Sequence, residues 1–287
     1  MNVKGVIVAA GYGSRFLPAT KTVPKEMLPL IDRPAIDFIV DEFLTAGIRD
    51  ILIITSRRKK ALDDYFDRET ELEGVFSQEA AQAKQKAIEP PAGNFYFMRQ
   101  QTMQGTGQAL LLAKTFVGAD PFVVAYPDDI VLSKPPLAAQ LIEAYQRTGN
   151  AILAVQDLTG QDVSRYGVVE PAGPGSPVPI RRLVEKPAPG QEPSSLVSYG
   201  RYLFLPDLFD HLEAGWQAHQ QGEFYHVDAI NCLAGEGKVS ALPFQGLRLD
   251  TGAPIGYLEA ICRYALTRED LAGSAKSLFR RLADEDQ

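Results

Sequence analysis

The stretch Val6-Ile7-Val8-Ala9-Ala10-Gly11-Tyr12-Gly13-Ser14-Arg15 joins an apolar run to a glycine turn and a cation. The run contains no polar side chain, which is typical of a strand buried on both faces. Gly11 and Gly13 then stand where a strand-to-helix turn must let backbone amides approach a phosphate. A lone Gly-x-Gly turn is also common, so this stretch alone leaves phosphate binding and an ordinary tight turn open.

Apolar runs and helical stretches alternate along the first half of the chain. Runs rich in β-branched residues predict three more buried strands, at residues 51–54, 122–125 and 151–155. Stretches with helical spacing, each ending near a glycine, lie at residues 35–46, 107–116 and 137–147. The alternation predicts an α/β fold with a Rossmann-like mixed, mainly parallel sheet flanked by helices.

The rest of the chain shows three other patterns. Residues 69–88 are rich in Glu, Ala, Gln and Lys and predict a peripheral helical excursion. Between residues 166 and 205, short strands separated by Pro and Gly predict a small α+β portion. Residues 255–282 predict a final helical stretch.

Composition excludes several classes of function. The net charge of -7 and pI of about 5.1 argue against a surface that attracts nucleic acid, because such binding needs a basic face. The apolar run at residues 5–10 is too short for a signal peptide or a membrane span. Cys232 and Cys262 form no CxxC pair, which predicts reduced thiols. We expect a cytoplasmic protein with no nucleic-acid or membrane partner.

A dinucleotide-binding fingerprint fits the glycine turn less well than a triphosphate site. The fingerprint needs a third glycine, where Phe16 stands, and an acid after the second strand, where the chain has Thr55-Ser56-Arg57. The next loop, Lys21-Thr22-Val23-Pro24-Lys25-Glu26-Met27-Leu28-Pro29-Leu30, holds two cations between prolines. With Arg15 these lysines can neutralise a triphosphate, an interpretation that we favour over a basic surface loop.

Three motifs follow each other in this region: Ala-Ala-Gly-x-Gly-x-Arg, Pro-Ala-Thr-Lys and Pro-Lys-Glu-Met-Leu-Pro. In order and spacing they resemble the bacterial UTP–glucose-1-phosphate uridylyltransferases, which are sugar nucleotidyltransferases, and the likeness continues to about residue 264. The resemblance implies one domain over residues 1–287 with the nucleotide-diphospho-sugar transferase fold, and a homo-oligomer. Its parts would be a mainly nucleotide-binding half, a mainly sugar-phosphate-binding half and C-terminal helices, at residues 1–160, 161–254 and 255–287.

The resemblance assigns UTP to residues around the glycine turn. Main-chain groups of Ala10 and Gly11 would surround the uracil together with Glu26, Gln100 and Gly105. Arg15 and Lys25 would face the phosphates, and Gly13 completes the turn. A pyrimidine edge alternates donors and acceptors, so the Gln100 amide can supply both and Glu26 can accept from the ring N–H. An exposed Gln100 without a ligand is the alternative.

Two aspartates are candidates for binding Mg²⁺. Asp128 follows the strand at residues 122–125, at the edge of a parallel sheet where ligands collect, and the resemblance makes it a magnesium ligand. Asp250, in Leu249-Asp250-Thr251-Gly252, matches a second acid of related enzymes and ranks lower, since Asp before Gly is a common turn residue. Mg²⁺ is commonly held by one or two carboxylates plus substrate phosphates.

The resemblance places a sugar 1-phosphate, with glucose 1-phosphate favoured, in the second half. Gly167 would lie against the sugar ring, Glu185 would bind its hydroxyls and Lys186 its phosphate. Without the resemblance, Glu185-Lys186-Pro187 is an ordinary exposed strand end.

The implied reaction is in-line attack of a sugar-phosphate oxygen on the α-phosphorus of UTP, which releases pyrophosphate. With a second phosphate pKa of about 6, the nucleophile is already ionised at neutral pH, so alignment and charge neutralisation suffice. Arg15, Lys25, Lys186 and Asp128 would carry these tasks. The histidines at 211, 219 and 226 form no metal-binding spacing and are predicted to be core or surface residues.

Some positions depart from the family pattern. Where the family usually shows Gly-Glu-Ile-Gln-Leu-Thr-Asp, this chain has Gly222-Glu223-Phe224-Tyr225-His226-Val227-Asp228. Gln108 and Ser195 replace a common His and Asn, and residues 249–252 lean toward the thymidylyltransferases. The alternatives are therefore a dTTP-using thymidylyltransferase and a non-catalytic regulatory paralogue.

Overall fold

The computed structural model describes residues 2–285, so residues 286 and 287 of the predicted C-terminal stretch lie outside the described residues. The strands are β1 (Lys4–Val8), β2 (Pro29–Leu30), β3 (Arg33–Pro34), β4 (Asp50–Thr55), β5 (Asn94–Arg99), β6 (Phe122–Ala125), β7 (Asp129–Leu132), β8 (Ala151–Asp157), β9 (Gly167–Pro171), β10 (Val178–Glu185), β11 (Leu196–Phe204), β12 (Val239–Pro243) and β13 (Leu247–Asp250). The helices are α1 (Ala35–Thr45), α2 (Lys60–Tyr65), α3 (Thr70–Gln78), α4 (Gln82–Ala87), α5 (Thr106–Leu111), α6 (Lys114–Val117), α7 (Leu137–Thr148), α8 (Leu208–Ala218), α9 (Val227–Gly235), α10 (Pro254–Thr267) and α11 (Ala272–Glu285).

Nine strands form one mixed sheet in the order β5-β4-β1-β6-β11-β8-β12-β10-β9. The strands β5, β4, β1 and β6 pair in parallel, as do β8 and β12. Strands β10 and β11 run opposite to the other seven. The predicted mixed, mainly parallel sheet flanked by helices is confirmed. The sheet draws strands from both predicted halves, and the boundaries of those halves stay a prediction.

Side chains alternate across β1 and enter cores on both faces of the sheet. Ile7 packs in a fully buried cluster that includes Leu141 of α7. Val6 packs on the opposite face in a cluster that includes Phe209 of α8. Because each such side chain contributes about 1.5–3 kcal/mol when buried, a polar substitution in β1 would weaken both layers.

Two predicted helices are interrupted. The stretch at residues 107–116 divides into α5 and α6, because the amides of Leu112 and Ala113 bond to carbonyls three residues earlier and tighten the turn. The C-terminal stretch divides into α10 and α11 at Arg268, whose backbone is extended. The predicted excursion at residues 69–88 forms α3 and α4, which bury no residue. From residue 2 to residue 285, no helix is both long and apolar enough to cross a membrane.

The carboxyl ends of β1, β4 and β6 meet at one edge of the sheet because these strands are parallel neighbours. The glycine turn follows β1, a basic segment at residues 56–59 follows β4, and residues 126–129 follow β6. A separate ribbon of β7 and β13 sets Asp129 opposite Asp250. Ligands of open α/β sheets bind at this edge, so the fold brings the candidate residues together.

Candidate active site

A cavity of about 280 Å³ opens beside the glycine turn, and we call it the glycine-turn cavity. It lies between the turn after β1 and the start of α5. The predicted site residues that line it are Ala10, Gly11, Lys25, Gln100, Gly105 and Asp128. Residues far apart in sequence thus surround one space, as the resemblance implies.

Gly13 shapes the turn without lining this cavity. Its φ of 69° is in the left-handed region, which glycine adopts without strain. A Cβ at Gly13 would lie 3.2 Å from the Cβ of Lys25, and the Gly13 carbonyl accepts a hydrogen bond from Thr20 Oγ1 at 2.7 Å. Gly13 therefore lets the loop that carries Lys25 pack against the turn.

Gln100 and Gly105 form the wall opposite the turn. Gln100 is buried, and its Nε2 donates to Gly105 O at 3.2 Å and to Gln108 Oε1 at 2.6 Å. The alternative of an exposed Gln100 is therefore wrong. Gly105 has a φ of 96°, and a Cβ there would lie 2.4 Å from Phe224 O. The segment around Phe224 consequently closes over this wall.

Glu26 does not line the glycine-turn cavity. Its side chain is fully buried, and Lys59 Nζ donates to both carboxylate oxygens at 2.7 Å. Lys59 also bonds to the carbonyl of Ala9 at the end of β1. The contact of Glu26 with uracil stays a prediction. Sequence reasoning missed Lys59, although its place just after the buried strand β4 was a usable signal.

A second cavity of about 300 Å³ adjoins the first, and we call it the Glu185 cavity. Gly167 and Glu185 line it, as do Arg15 and Asp250. Asp128 and Thr106 line both cavities, so the two spaces meet at these residues. A ligand in one cavity can therefore reach a ligand in the other beside Asp128.

Lys25 and Asp128 form an ion pair at this junction, with Lys25 Nζ 2.7 Å from Asp128 Oδ2. Burial by itself lowers the pKa of Lys25, but the carboxylates of Asp128 and Glu26 outweigh it and the pKa is raised. Burial would raise the pKa of Asp128, yet Lys25 outweighs it and the pKa of Asp128 is lowered. Both groups stay charged at neutral pH.

Asp128 and Asp250 converge around Gly252. A Cβ on Gly252 would lie 3.2 Å from Asp250 Oδ1, 3.4 Å from Asp128 Oδ2 and 3.6 Å from Arg15 Nη1. Arg15 Nη1 also donates to the carbonyl of Gly252 at 3.1 Å. Carboxylate oxygens are ligands that Mg²⁺ prefers in proteins, so these two residues fit such an ion. Within residues 2–285, no three His, Cys, Asp or Glu side chains form a metal-binding group.

Arg248 supports this arrangement and was not predicted. Its Nε donates to Asp129 Oδ1 at 2.8 Å, and its Nη2 lies 3.2 Å from Asp250 Oδ2. Its guanidinium lies 3.8 Å from the centre of the Tyr199 ring. Burial raises the pKa of Asp129, which Arg248 counteracts. No sequence motif marks Arg248, because only the β7–β13 pairing brings it to Asp129.

Lys186 lies at the rim and lines neither cavity. Its side chain is 66% exposed, and its Nζ lies 3.7 Å from Glu185 Oε1. Its backbone has a φ of 47°, which is uncommon for a residue other than glycine. Such conformations cluster at functional sites. Since Lys186 lines neither cavity, its contact with a phosphate stays a prediction.

His226 is buried, which agrees with its prediction as a core or surface residue, but its place in the wall of the Glu185 cavity was not predicted. Its Nδ1 lies 2.8 Å from Thr106 Oγ1. Burial lowers the pKa of His226 to about 4, so the ring is neutral. Its departure from the family motif was the available signal.

The mixed sheet, the glycine turn and the paired cavities define a nucleotide-binding α/β transferase, and the chain belongs to the nucleotidyl transferase family, which matches residues 4–266. Over 282 residues it is 39% identical to the UTP–glucose-1-phosphate uridylyltransferase of Staphylococcus epidermidis, covering 97% of this chain and 98% of that protein. The resemblance inferred from the sequence is thereby confirmed.

Solved structures agree with the fold. The UTP-bound UGPase from Acinetobacter baumannii superposes with a TM-score of 0.89 at 33% identity, covering 98% of this chain and 100% of that one. A UDP-glucose pyrophosphorylase complexed with UDP-glucose gives a TM-score of 0.82 at 35% identity, covering 93% and 100%. Nucleotidyltransferases of this family generally use a divalent metal ion.

Proposed function

We propose that this chain transfers the uridylyl group of UTP to glucose 1-phosphate, forming UDP-glucose and pyrophosphate. The observation that carries the proposal is the meeting of the two cavities at Asp128, beside Lys25 and Arg15. The relatives named for UTP–glucose-1-phosphate uridylyltransferase activity, and the structures with UTP and UDP-glucose, support this choice of substrates.

UTP occupies the glycine-turn cavity in this proposal. Backbone groups of Ala10 and Gly11 and the buried Gln100 bind the base, and Gly105 allows its close approach. Lys25, held by Asp128 at the cavity junction, faces the phosphates. The sugar phosphate occupies the Glu185 cavity, with Gly167 against the ring and Glu185 toward its hydroxyls.

In the reaction, an oxygen of the sugar phosphate forms a bond to the α-phosphorus of UTP as the bond to pyrophosphate breaks. No side chain needs to remove a proton, because a phosphomonoester with a second pKa of about 6 is already ionised. Lys186 swings in to align the sugar phosphate, while Arg15 and Lys25 neutralise the charge of the departing pyrophosphate. Asp128 keeps Lys25 in place.

We further propose Mg²⁺ as the metal, held by Asp128 and Asp250 and completed by substrate phosphates. When bound, the ion neutralises phosphate charge. Two hydrogen bonds already hold the Asp250 carboxylate in place: Oδ1 accepts from Gly252 N at 2.9 Å, and Oδ2 accepts from Arg248 Nη2 at 3.2 Å.

We infer that residues 1–160 form a mainly nucleotide-binding half and residues 161–254 a mainly sugar-phosphate-binding half.

We also infer that the protein acts as a homo-oligomer in the cytoplasm. Ile255 and Leu258 on α10 are exposed, at 75% and 56%, and offer an apolar contact for a second copy. Light scattering of the purified protein tests the oligomer, and a monomer at all concentrations would contradict it.

A pyrophosphate-release assay tests the activity. Purified protein is given Mg²⁺, glucose 1-phosphate and either UTP or dTTP, and we expect faster turnover with UTP. Faster turnover with dTTP would favour a thymidylyltransferase. Binding of UTP without pyrophosphate release would favour a non-catalytic paralogue.

A further inference from the structure

His226 lines the Glu185 cavity with half of its hydrogen-bonding capacity unused. Nδ1 is engaged by Thr106, which lines both cavities. Nε2 is buried and has no hydrogen-bond partner in the part of the chain that the structure describes. Buried polar atoms without partners are rare and costly in native proteins, and His226 lines the Glu185 cavity, so a ligand bound there is the candidate partner for this nitrogen.

Two neighbouring side chains share this property. Ser198 lines the Glu185 cavity, and Tyr126 stacks on the His226 ring with centroids 6.1 Å apart. Ser198 Oγ and Tyr126 OH are also buried without a hydrogen bond of ordinary geometry among residues 2–285, although Ser198 lies close enough to Tyr202, and Thr106 to Tyr126, to influence the pKa of each tyrosine. Together with His226 Nε2 they form a set of neutral hydrogen-bonding atoms, which we call the His226 cluster.

The charge of the His226 cluster indicates the chemistry of its ligand. Burial keeps the His226 ring neutral, and burial also raises the pKa of Tyr126 well above its ordinary value. Arg15 and Arg248, two cations of the same cavity, bond to Gly252 and Asp250 rather than to this cluster. Neutral donors and acceptors suit a hydroxyl group, whereas a phosphate prefers the cations.

We propose that His226 determines specificity for the sugar 1-phosphate by hydrogen bonding through Nε2 to a hydroxyl of the hexose. Thr106 is a positioning residue, because its bond to Nδ1 fixes the orientation of the ring. The proposal rests on the function proposed above.

His226→Leu tests the proposal because it keeps an apolar, similar-sized group in the buried site. The wild type and the variant are assayed with glucose 1-phosphate and with its 2-, 3-, 4- and 6-deoxy analogues. For the wild type, we expect kcat/KM to be about 10-fold lower with one analogue than with glucose 1-phosphate. For His226→Leu, kcat/KM with glucose 1-phosphate should be about 10-fold lower than that of the wild type. The variant should then discriminate less than about 2-fold between glucose 1-phosphate and that same analogue. The KM for UTP should change less than about 2-fold, because His226 lines the Glu185 cavity and not the glycine-turn cavity.

Three further variants separate this role from a merely structural one. Thr106→Val should reproduce part of the loss and Thr106→Ser should restore it, because serine keeps the hydroxyl that holds Nδ1. His219→Gln is the matched control, since His219 lines neither cavity and should keep the full discrimination. If His226→Leu does not fold, His226→Phe, which keeps an aromatic ring without its nitrogens, and Thr106→Val carry the same comparison.

An equal loss for glucose 1-phosphate and every deoxy analogue, or no loss at all, would overturn the proposal and make His226 a structural residue. Calorimetry measures the binding of the same sugar phosphates to each protein and tests the hydroxyl contact independently of turnover. If the wild type releases no pyrophosphate, the proposed function fails, while selective binding lost in His226→Leu would still uphold the hydroxyl contact. Unselective binding would overturn it in that case too.

Discussion

Lys59 Nζ lies 2.7 Å from both carboxylate oxygens of Glu26, and the two side chains are only 6% and 0% exposed. The pair joins the loop that carries Lys25 to the segment that follows β4. Lys59 also donates a hydrogen bond to the carbonyl of Ala9, at the end of β1. Burial lowers the pKa of Lys59, and the Glu26 carboxylate opposes that shift. Three segments of the nucleotide site thus depend on one buried ion pair.

Lys59→Met should reduce the free energy of unfolding by about 3–5 kcal/mol, because it leaves the Glu26 carboxylate buried without its partner. Urea unfolding measures the change, and Lys60→Met, at an exposed neighbour, should cost less than about 0.5 kcal/mol. Adding Glu26→Leu should recover at least half of the loss. A double variant less stable than Lys59→Met alone would show that the pair does not act in this way.

Lys186→Ala should lower kcat by at least about 100-fold, since it removes the cation that we propose aligns the sugar phosphate. The fold should be unaffected because the side chain is 66% exposed and its contact with Glu185 is weak. Circular dichroism checks the fold, and Lys84→Ala, at an exposed lysine on the α4 surface, is the matched control. A near-normal rate in a folded Lys186→Ala protein would remove Lys186 from the mechanism.

Asp128→Asn should reduce turnover more than Asp250→Asn does. Asp128 lines both cavities and pairs with Lys25, whereas Asp250 lines the Glu185 cavity and already binds Arg248. Losses of about 100-fold or more are expected for Asp128→Asn, measured as pyrophosphate release over a range of Mg²⁺ concentrations. An equal or larger loss for Asp250→Asn would reverse the ranking of the two carboxylates.

Gly105→Ala should raise the KM for UTP and destabilise the protein. The new Cβ would lie 2.4 Å from Phe224 O, so the wall of the glycine-turn cavity must shift. Gly118→Ala is the matched control, because Gly118 also has a positive φ, of 61°, but no atom lies within 4 Å of its Cβ position. We expect Gly105→Ala to cost about 1–3 kcal/mol more in unfolding than Gly118→Ala. Equal costs would show that Phe224 yields without strain.

His226 should make stability depend on pH. Its pKa is about 4 in the folded protein against 6.5 ordinarily, so between these values the unfolded chain binds more protons. The free energy of unfolding should therefore fall by up to about 3 kcal/mol as pH drops from about 6.5 to about 4. Urea unfolding across this range, compared with His226→Leu, isolates the effect. The same slope in both proteins would contradict it.

The local pattern of the sequence determined much of the fold. Apolar runs predicted the strands around β1, and β1, β4, β6 and β8 lie where expected because a strand buried on both faces excludes polar side chains. The motifs around Arg15 and Lys25 identified the family, since their order and spacing are specific, while the roles of Arg15, Lys25 and Asp128 in binding nucleotide stay predictions. The interruption of the C-terminal helix at Arg268 was not visible, as no Pro or Gly marks it.

Tertiary structure alone decided which side chains meet. Lys59 reaches Glu26, Arg248 reaches Asp129 and Thr106 reaches His226 through strand order and loop packing, across separations that no local pattern encodes. It also decided that Lys186 stands at the rim of the site and that Glu26 is buried. The sequence by itself thus determined the strands and the nucleotide motifs, which depend on neighbouring residues. Charge pairing and buried polar contacts depend on distances in space, and only the folded chain sets those.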